Sequence, residues 1–356
     1  MRVGLYSPYL DTLGGGEKYM MTIAETLSQD HEVDILLDQH LYNFGPEYLK
    51  KELSSRFNLD LERTKFLKSP LGKGSYFLER LAFLKKYDLL FYLTDGSIFI
   101  PSAKKNILHI QSPIVGQAAK SNLARIKLKG WNLIIYNSEF TKINSSKNWP
   151  LKSKVIYPPV DVEIIKPLKK KKYILSVGRF FGFLKDKKHG FLIKAFRELY
   201  ESRQLPEWSL HLVGSASEGD KNYLEELQDL AQGLPVKFYP NLGYKDLIVL
   251  YGESSIYWHA SGYGEKDPTK MEHFGISTVE AMAGGCVPIV ISKGGQIEIV
   301  EQGRSGFLWN NLSELKKFTI QVIGDETLVS NLSKEALVSA KRFSKDRFEN
   351  EIKELV

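Results

Sequence analysis

Apolar runs of strand length alternate with helix-like segments along this 356-residue chain, and the alternation stops once and then restarts. Near the beginning, the strand-like Val3–Tyr6 leads to a helical segment, Glu17–Leu27, and then to a second strand-like run, Val33–Leu37. The pattern starts again at Tyr173–Val177. Alternating strands and helices form a parallel sheet covered by helices on both faces. The sequence therefore predicts an α/β fold, with two similar domains facing each other across a cleft.

The interruption between the two halves marks the predicted domain boundary. Pro158, Pro159 and Pro167 stop the pattern, and the run Lys169–Lys172 is typical of a solvated segment. The length suits two cores better than one. We expect an N-terminal domain over residues 1–165, a C-terminal domain over residues 166–340, and a final helix over residues 341–356 that packs back on the first domain.

Composition excludes several classes of protein. The longest apolar-rich run, Leu89–Ile100, contains Asp95 and is shorter than the roughly 20 residues of a membrane-spanning helix. A single cysteine, Cys286, excludes an internal disulfide and a cysteine-based zinc site, and we expect it to be a small packing residue. None of the seven histidines pairs at metal-ligand spacing. These features favour a cytoplasmic protein.

The positive charge is confined to the first half. Residues 1–160 carry 22 Lys and Arg against 15 Asp and Glu, a difference of +7, and residues 161–356 carry 27 of each. Arg63–Lys86 alone holds seven cations and one acid, Glu79, among aromatic and aliphatic residues. Such a segment suits an anionic membrane surface or an anionic acceptor, or else it is a solvated face above a core helix. The cations that we expect on this surface are Lys73, Arg80, Lys85 and Lys86.

A stretch in the second half, residues 272–308, combines two acids with glycine-bearing turns. A helix beginning near Gly275 would hold Glu280 in its second turn and leave Glu272 in front of it. The N–H groups of residues 274–276 (Phe274, Gly275, Ile276) would then face an anion. Carboxylates accept hydrogen bonds from sugar hydroxyls. An anion site beside two carboxylates suits a nucleotide sugar.

Two loops that follow strands could bind phosphate. Arg179 lies directly after the strand Tyr173–Val177, and Lys187 follows eight residues later, so the two could grip a diphosphate or be ordinary surface cations. The other loop, Gly14–Gly16, could approach a phosphate closely or be a tight turn. It fails the dinucleotide fingerprint because Tyr19 stands where a glycine is required, which weakens the dehydrogenase alternative.

Three further positions are candidates of lower specificity. His109 ends a strand-like run and is expected to face the cleft, where it could orient a sugar hydroxyl. Ser138 has the position of a helix cap. Gly294–Gln296 is a turn at the carboxyl edge of the second sheet, and a structural role and a place in the cleft lining suit it equally.

Taken together, these segments resemble the retaining glycosyltransferases of family 4, which have the GT-B fold of two Rossmann-like domains. The resemblance extends from residue 1 to about residue 310. The residues that carry it are Gly14-Gly15-Gly16-Glu17, His109, Asn137-Ser138-Glu139-Phe140, Tyr157-Pro158-Pro159-Val160-Asp161, Val177-Gly178-Arg179 with Lys187, and Glu272 to Glu280 followed by Ala281-Met282-Ala283-Gly284-Gly285.

The resemblance implies a role for each matching residue. Arg179 and Lys187 would bind the donor diphosphate, Glu280 the ribose, and Glu272 the transferred sugar, with the backbone of Phe274–Ile276 touching both sugar and phosphate. Gly14–Gly16 would close on the phosphates, and His109 would contact the sugar near the reacting carbon. The loop between Arg179 and Lys187 is longer than the common family spacing, so Lys185 and Lys188 remain alternatives to Lys187.

The resemblance also implies the reaction. A hexosyltransferase of this family would transfer a sugar with retention, without a metal or another cofactor, as in polysaccharide or glycolipid assembly. GDP-mannose is the first expectation for the donor, ahead of UDP-sugars, and a lipid-linked glycan is the expected acceptor. Two alternatives stay open: a sugar-nucleotide epimerase of similar architecture, and a non-catalytic protein that binds sugar or membrane.

Overall fold

The computed structural model describes residues 1–72, 74–115 and 122–356. They form two compact units: Met1–Pro159 with Lys345–Val356, and Val160–Ser344. The sequence-based limits were residues 165 and 340. In the structure the chain enters and leaves the second unit at Val160 and Ser344, which pair in a short parallel bridge. The backbone N–H of Val160 also donates to the carbonyl of Phe343 over 3.0 Å.

The described part of the first unit is a seven-stranded parallel sheet flanked by helices. Its strands are β1 (Arg2–Tyr6), β2 (Glu32–Leu37), β3 (Thr64–Lys68), β4 (Leu89–Leu93), β5 (Lys105–Ile110), β6 (Leu133–Tyr136) and β7 (Ser153–Val155). Its helices are α1 (Gly15–Leu27), α2 (Gln39–Asn43), α3 (Pro46–Phe57), α4 (Phe77–Leu84), α5 (Asn122–Leu128) and α6 (Glu139–Ser145). The strand order is β3-β2-β1-β4-β5-β6-β7.

The second unit repeats the plan with six parallel strands in the order β10-β9-β8-β11-β12-β13. The strands are β8 (Lys171–Val177), β9 (Ser209–Gly214), β10 (Val236–Pro240), β11 (Ser254–His259), β12 (Val287–Ile291) and β13 (Phe307–Trp309). The helices are α7 (His189–Glu201), α8 (Lys221–Leu230), α9 (Tyr244–Glu253), α10 (Ile276–Ala283), α11 (Gln296–Ile299), α12 (Leu312–Ile323) and α13 (Glu326–Ala340). All five residues of β12 are buried, as expected for a strand covered on both faces.

The last helix, α14 (Lys345–Lys353), belongs to the first unit. Phe348 and Ile352 are fully buried in the core of that unit, and the ring of Phe348 meets the ring of Tyr19 edge-on at 4.8 Å. Lys345 forms an ion pair with Glu25 of α1 at 2.5 Å. An amphipathic helix of nine residues is marginal alone in water, so this packing is what stabilises it.

Both sheets have a point at which the strand order reverses. In the first sheet this point lies between β1 and β4, and in the second it lies between β8 and β11. Loops that leave the carboxyl ends of two such strands diverge to opposite faces and open a crevice, where ligands bind in open α/β sheets. Gly14–Gly16 follows β1, Arg179 follows β8, and Glu272 follows β11. The sheet topology therefore brings the sequence candidates to the crevices.

Each of the two units is a Rossmann-like α/β domain, as the sequence predicted. No helix in the described ranges is long and apolar enough to cross a membrane.

Candidate functional site

Three side chains converge at the crevice of the second unit. Glu272 comes from the segment between β11 and α10, Lys187 from the loop after β8, and His259 from the last position of β11. Nζ of Lys187 lies 2.7 Å from Oε2 of Glu272, and Nε2 of His259 lies 3.1 Å from the same oxygen. Lys187 and Glu272, predicted from separate motifs 85 residues apart, thus form one ion pair.

Burial and charge act against each other at this pair. The two side chains are 18% and 20% exposed. Burial alone would raise the pKa of Glu272, but the Lys187 ammonium and the hydrogen bond from His259 outweigh it and hold that pKa well below its usual range. Burial likewise opposes the charge of Lys187, and Glu272 with Asp186 raises the pKa of Lys187 nevertheless. The site therefore holds a carboxylate and an ammonium group at neutral pH.

The neighbouring lysines point elsewhere. Lys185 pairs with Glu226 at 2.5 Å and Lys188 pairs with Glu265 at 2.6 Å, so each is held by a carboxylate outside the pair described above. Arg179 is exposed and forms no ion pair with any of the residues that the structure describes. Its guanidinium lies 5.9 Å from the ring centre of Phe181. Arg179 is thus available to a bound anion.

Helix α10 begins where the sequence predicted, with Gly275 as its N-cap. Gly275 has a φ of 121°, and an added Cβ would lie 2.4 Å from Nε2 of Gln296, so a side chain there would be both strained and obstructed. Phe274 is buried against the ring of Phe343 at 5.2 Å, which anchors the backbone just before the helix. Phe274, Gly275 and Ile276 therefore present the N-terminus of α10 on a fixed support.

Glu280 lies in the second turn of α10 and is nearly buried, with 8% of its surface exposed. Tyr251, which is fully buried, donates its hydroxyl to Oε2 at 2.9 Å. Tyr244, at the start of α9, donates to Oε1 at 3.3 Å and is 37% exposed. Two tyrosines thus orient this carboxylate, one from the core and one from the surface.

The turn after β12 packs against the backbone of Glu272. The N–H of Gly295 donates to the backbone carbonyl of Glu272 over 2.8 Å. A Cβ at Gly294 would lie 2.1 Å from that same carbonyl oxygen, and one at Gly295 would lie 2.4 Å from Cα of Phe274. Gly294–Gln296 is therefore packed against the backbone of the site, and its glycines are required by close approach.

In the first unit, Gly14–Gly16 forms the turn that opens α1, with Gly14 as the N-cap. The Glu17 carboxylate accepts the N–H of Gly14 at 2.8 Å and the hydroxyl of Thr12 at 2.9 Å. A Cβ at Gly16 would lie 1.8 Å from Oε1 of Gln111, so the amide of Gln111 lies directly on the glycine. The N–H groups of the first helical turn have no acceptors within the helix and can bind an anion.

His109 is not open to a ligand, contrary to the expectation that it faces a cleft and contacts a sugar. Its side chain is 0% exposed, its ring stacks on Tyr19 at 4.0 Å, and Nδ1 lies 3.2 Å from the carbonyl of Ile135. Burial lowers the pKa of His109 to about 3. The reason is that side chains alternate between the two faces of the sheet along β5, and the side chain of His109 points to the face that α1 covers.

Gln111 and His259 are candidates that the sequence pattern did not single out. Gln111 lies just past the end of β5, two residues after His109, and is partly exposed beside Gly16. His259 ends β11 as His109 nearly ends β5, so the rule that selected His109 could have selected His259 as well. The position of a residue in a strand does not determine whether its side chain reaches the carboxyl edge of the sheet, where ligands bind.

The basic segment of the first unit contains strand β3 and helix α4, and most residues of α4 are exposed or half-buried. Lys85 and Lys86 are exposed after the end of α4, and the Arg80 guanidinium lies over the rings of Phe77 and Phe99 at 5.8 and 5.3 Å. Lys73 lies outside the described residues. Of the residues of α4, Leu84 alone is buried. Leu84 belongs to a core cluster of the first unit and Phe83 is partly buried against that cluster, so α4 covers part of the core with an otherwise exposed helix. Both sequence interpretations of the basic segment therefore stay open.

Two smaller predictions concern structure. Ser138 caps α6, as predicted, by accepting the N–H of Thr141 at 3.0 Å. Cys286 is buried and packs its sulfur 3.2 Å from the carbonyls of Tyr251 and Ser254, which confirms a packing role. No group of three or more His, Cys, Asp or Glu side chains within the described ranges is arranged to hold a metal ion.

The second unit matches a known protein family. Residues 161–337 match the family of glycosyl transferases group 1, which covers the second unit and its crevice. A curated relative from Dictyostelium discoideum, a GDP-Man:Man(3)GlcNAc(2)-PP-Dol alpha-1,2-mannosyltransferase, is 30% identical over 215 residues, 55% of this chain and 40% of the relative. The alignments with the curated relatives that match first span less than half of those proteins' length.

Solved structures agree on the fold along the whole chain. A glycosyltransferase from Rickettsia africae superposes with a TM-score of 0.75 at 19% identity, covering 99% of this chain and 97% of the other. Anabaena HepE in complex with UDP and glucose superposes with a TM-score of 0.69 at 19% identity, covering 100% and 99%. The family match identifies residues 161–337 as a domain of the glycosyl transferases group 1 family, and the superpositions show that the chain as a whole has the GT-B fold.

Proposed function

We propose that this protein is a retaining hexosyltransferase that moves a sugar from a nucleotide-sugar donor to a hydroxyl group of a saccharide or lipid-linked acceptor. The observation that carries the proposal is the contact between Lys187 and Glu272 at the reversal point of the second sheet, together with Arg179, which has no ion-pair partner in the described part of the chain. A cation pair suits a diphosphate, and a carboxylate next to it suits the hydroxyls of the attached sugar.

The proposed contacts use the charged side chains and the helix N-terminus of the second unit's crevice. Arg179 and Lys187 bind the diphosphate, and the first N–H groups of α10 lie where the same anion can reach them. Glu280, oriented by two tyrosines, accepts the ribose hydroxyls. Glu272 accepts a hydroxyl of the transferred sugar. Among the three lysines of the loop we choose Lys187, because its partner is Glu272, the proposed sugar contact, whereas Lys185 and Lys188 are paired with Glu226 and Glu265.

The chemistry that this arrangement supports needs no separate base. The bond between the anomeric carbon and the diphosphate oxygen breaks, and the acceptor oxygen bonds to the same face of that carbon. The acceptor proton passes to the leaving diphosphate oxygen. Arg179 and Lys187 stabilise the negative charge that develops on this oxygen, which is a large electrostatic contribution in a site of low dielectric.

For the donor we propose GDP-mannose first, ahead of UDP-sugars. The name of the Dictyostelium relative specifies GDP-mannose, and the structure of Anabaena HepE contains UDP and glucose, so both nucleotides belong in the test. A thermal-shift screen of GDP, GDP-mannose, UDP and UDP-glucose identifies the donor. A ligand at 100 times its dissociation constant adds about 2.7 kcal/mol to the free energy of unfolding.

The site assignment is tested with paired variants of one loop. Lys187→Ala and Arg179→Ala should each lower kcat/KM for the identified donor by about 100-fold, because each removes one charge from the leaving-group clamp. Lys185→Ala is the matched control, since it removes a cation two residues away that pairs with Glu226. Wild-type turnover in Arg179→Ala and Lys187→Ala, or an equal loss in Lys185→Ala, would contradict the assignment.

We further propose that the protein associates peripherally with the cytoplasmic face of an anionic membrane, where a lipid-linked acceptor would lie. Tyr76, Phe77 and Leu78 at the start of α4 are 78%, 47% and 76% exposed, beside Arg80, Lys85 and Lys86. An exposed apolar tip with neighbouring cations suits an anionic lipid surface, where each cation contributes about 1 kcal/mol. The relative named above acts on a PP-Dol substrate.

Co-sedimentation with liposomes tests the membrane proposal. The wild-type protein should pellet with anionic vesicles more than with neutral ones, and less as salt rises. Reversing Arg80, Lys85 and Lys86 to Glu should abolish the difference. The same change at three exposed lysines elsewhere, Lys317, Lys334 and Lys353, is the control for net charge. Equal pelleting of both reversed variants and the wild type would refute the role of α4.

A further inference from the structure

The Glu272 carboxylate is held through one of its two oxygens. Oε2 accepts from both Lys187 and His259, at 2.7 and 3.1 Å, and Oε1 accepts no hydrogen bond from any residue that the structure describes. We propose that His259 is a positioning residue that keeps Oε1 of Glu272 aimed at the sugar of a bound nucleotide sugar. This inference rests on the proposed function.

His259 is suited to hold a carboxylate in one orientation. It is the last residue of β11 and is 3% exposed, so its ring is fixed by the strand and by the core around it. Nδ1 has no hydrogen-bond partner among the described residues, which leaves the bond from Nε2 to Glu272 as the ring's polar contact. Burying an imidazole whose Nδ1 has no hydrogen-bond partner costs folding free energy, so a histidine that served only to fill space would be unfavourable here. The bond to Glu272 is therefore the reason for a histidine at this position.

Lys187 cannot perform the same task once a donor is bound. Its ammonium group sits on a flexible four-carbon stem and is attracted by any anion in the crevice. A diphosphate carries more negative charge than one carboxylate, so the bound donor draws Lys187 toward the phosphates and weakens its hold on Glu272. His259 has no such freedom. Lys187 therefore responds to the nucleotide, whereas His259 keeps Glu272 in place for the sugar.

This division of roles predicts a separation between two ligands. The affinity for a nucleoside diphosphate depends on Arg179 and Lys187, and so it should not depend on His259. The affinity for a nucleotide sugar also depends on the orientation of Glu272, and so it should fall when His259 is removed. A histidine that only maintained the fold of β11 would affect both ligands alike.

The experiment measures binding of GDP, GDP-mannose, UDP and UDP-glucose by calorimetry to the wild type and to three variants. His259→Leu and His259→Asn should weaken binding of the nucleotide sugar by about tenfold or more, and change binding of the matching diphosphate by less than about threefold. His259→Gln should recover most of the loss, because its amide nitrogen can take the place of Nε2. If His259→Leu does not fold, the Asn and Gln variants, which differ in reach, carry the comparison.

The outcomes separate this inference from the proposed function. If the wild type binds a nucleotide sugar and every variant loses both ligands equally, or neither ligand, the role of His259 is refuted and the transferase proposal stands. If Gln restores no more binding than Asn, the hydrogen bond to Glu272 is not the cause, and the inference also fails. If the wild type binds none of the four compounds, while the protein is folded, both proposals are refuted.

Discussion

At the scale of single residues, the position of Lys187 depends on a glycine nine positions before it. A Cβ added to Gly178 would lie 2.7 Å from Cγ and 3.0 Å from Cδ of Lys187. The stem of the lysine therefore crosses Gly178 on its way to Glu272. Because the contact falls in the middle of the stem and not at its mobile tip, the lysine can adjust only by moving its ammonium group.

We predict that Gly178→Ala disables the site while leaving the fold intact. Displacing the ammonium by about 1 Å should lower kcat/KM by 10- to 100-fold, which corresponds to about 1.4–2.7 kcal/mol of transition-state stabilisation. Steady-state kinetics with the identified donor measure the effect. Gly190→Ala in α7 is the control, because its Cβ would meet ordinary contacts at 3.6 Å and alanine favours a helix. Unchanged kinetics in Gly178→Ala would show that the position of the Lys187 ammonium group does not depend on the space left by Gly178.

At the scale of elements, the turn between β12 and α11 determines where Glu272 lies. Gly294 has a φ of 65°, and its Cα passes so close to the backbone of Glu272 that a Cβ would lie 2.1 Å from the carbonyl oxygen. The next N–H, that of Gly295, donates to this oxygen. The β12–α11 turn is therefore the support on which the segment before α10 rests.

A pair of glycine variants separates backbone strain from this support. Gly294 and Gly303 both have positive φ, at 65° and 72°, but a Cβ at Gly303 would meet nothing within 4 Å. Gly303→Ala should cost about 1 kcal/mol of the free energy of unfolding and leave turnover unchanged. Gly294→Ala should cost about 2 kcal/mol more and lower turnover, because the backbone of Glu272 must move. Urea unfolding and donor kinetics check both; equal behaviour of the two variants would contradict the role of the turn.

At the scale of the whole molecule, each unit buries histidines that stay neutral. Burial lowers the pKa of His109 in the first unit and of His189 in the second to about 3, and that of His211 to about 4. Below the unfolded pKa of 6.5 the unfolded chain binds protons at these positions that the folded chain does not bind. The free energy of unfolding must therefore fall as the pH drops from about 6.5 toward 3, and it must be insensitive to these groups above pH 7.

We predict that acidification from pH 7 to pH 5 removes about 2 kcal/mol of stability for each fully buried neutral histidine. His109→Asn and His189→Asn should each lose about that much of the pH dependence, although each variant is less stable at pH 7. Urea unfolding at pH 5, 7 and 8 measures it. Between pH 7 and 8 both variants should parallel the wild type. A wild-type dependence that persists in both variants would show that these histidines titrate in the folded protein.

The sequence alone determined the fold class and the candidate residues of the site. Two α/β domains were predicted from apolar runs of strand length, the proline-rich interruption and the charge run. Hydrophobic periodicity and breaks at proline are local properties of the chain, so they can be read without the structure. Gly178-Arg179 was recognisable because it follows a strand, and Glu272 and Glu280 because one precedes the predicted helix and the other lies in its second turn. The sequence also located Gly275 as the start of α10, where a φ of 121° requires glycine. Short edge strands such as β3 and β7 lacked a comparable signal.

Only the tertiary structure decided which side chains meet. Lys187 and not Lys185 or Lys188 reaches Glu272, because the direction of each lysine is set by the loop fold and by distant carboxylates, Glu226 and Glu265. His109 turned inward while His259 turned to Glu272, although both occupy the ends of parallel strands. The position of a residue in a strand determines which edge of the sheet the residue lies near. The face to which its side chain points, and the partner it finds there, depend on register and packing between segments far apart in the chain.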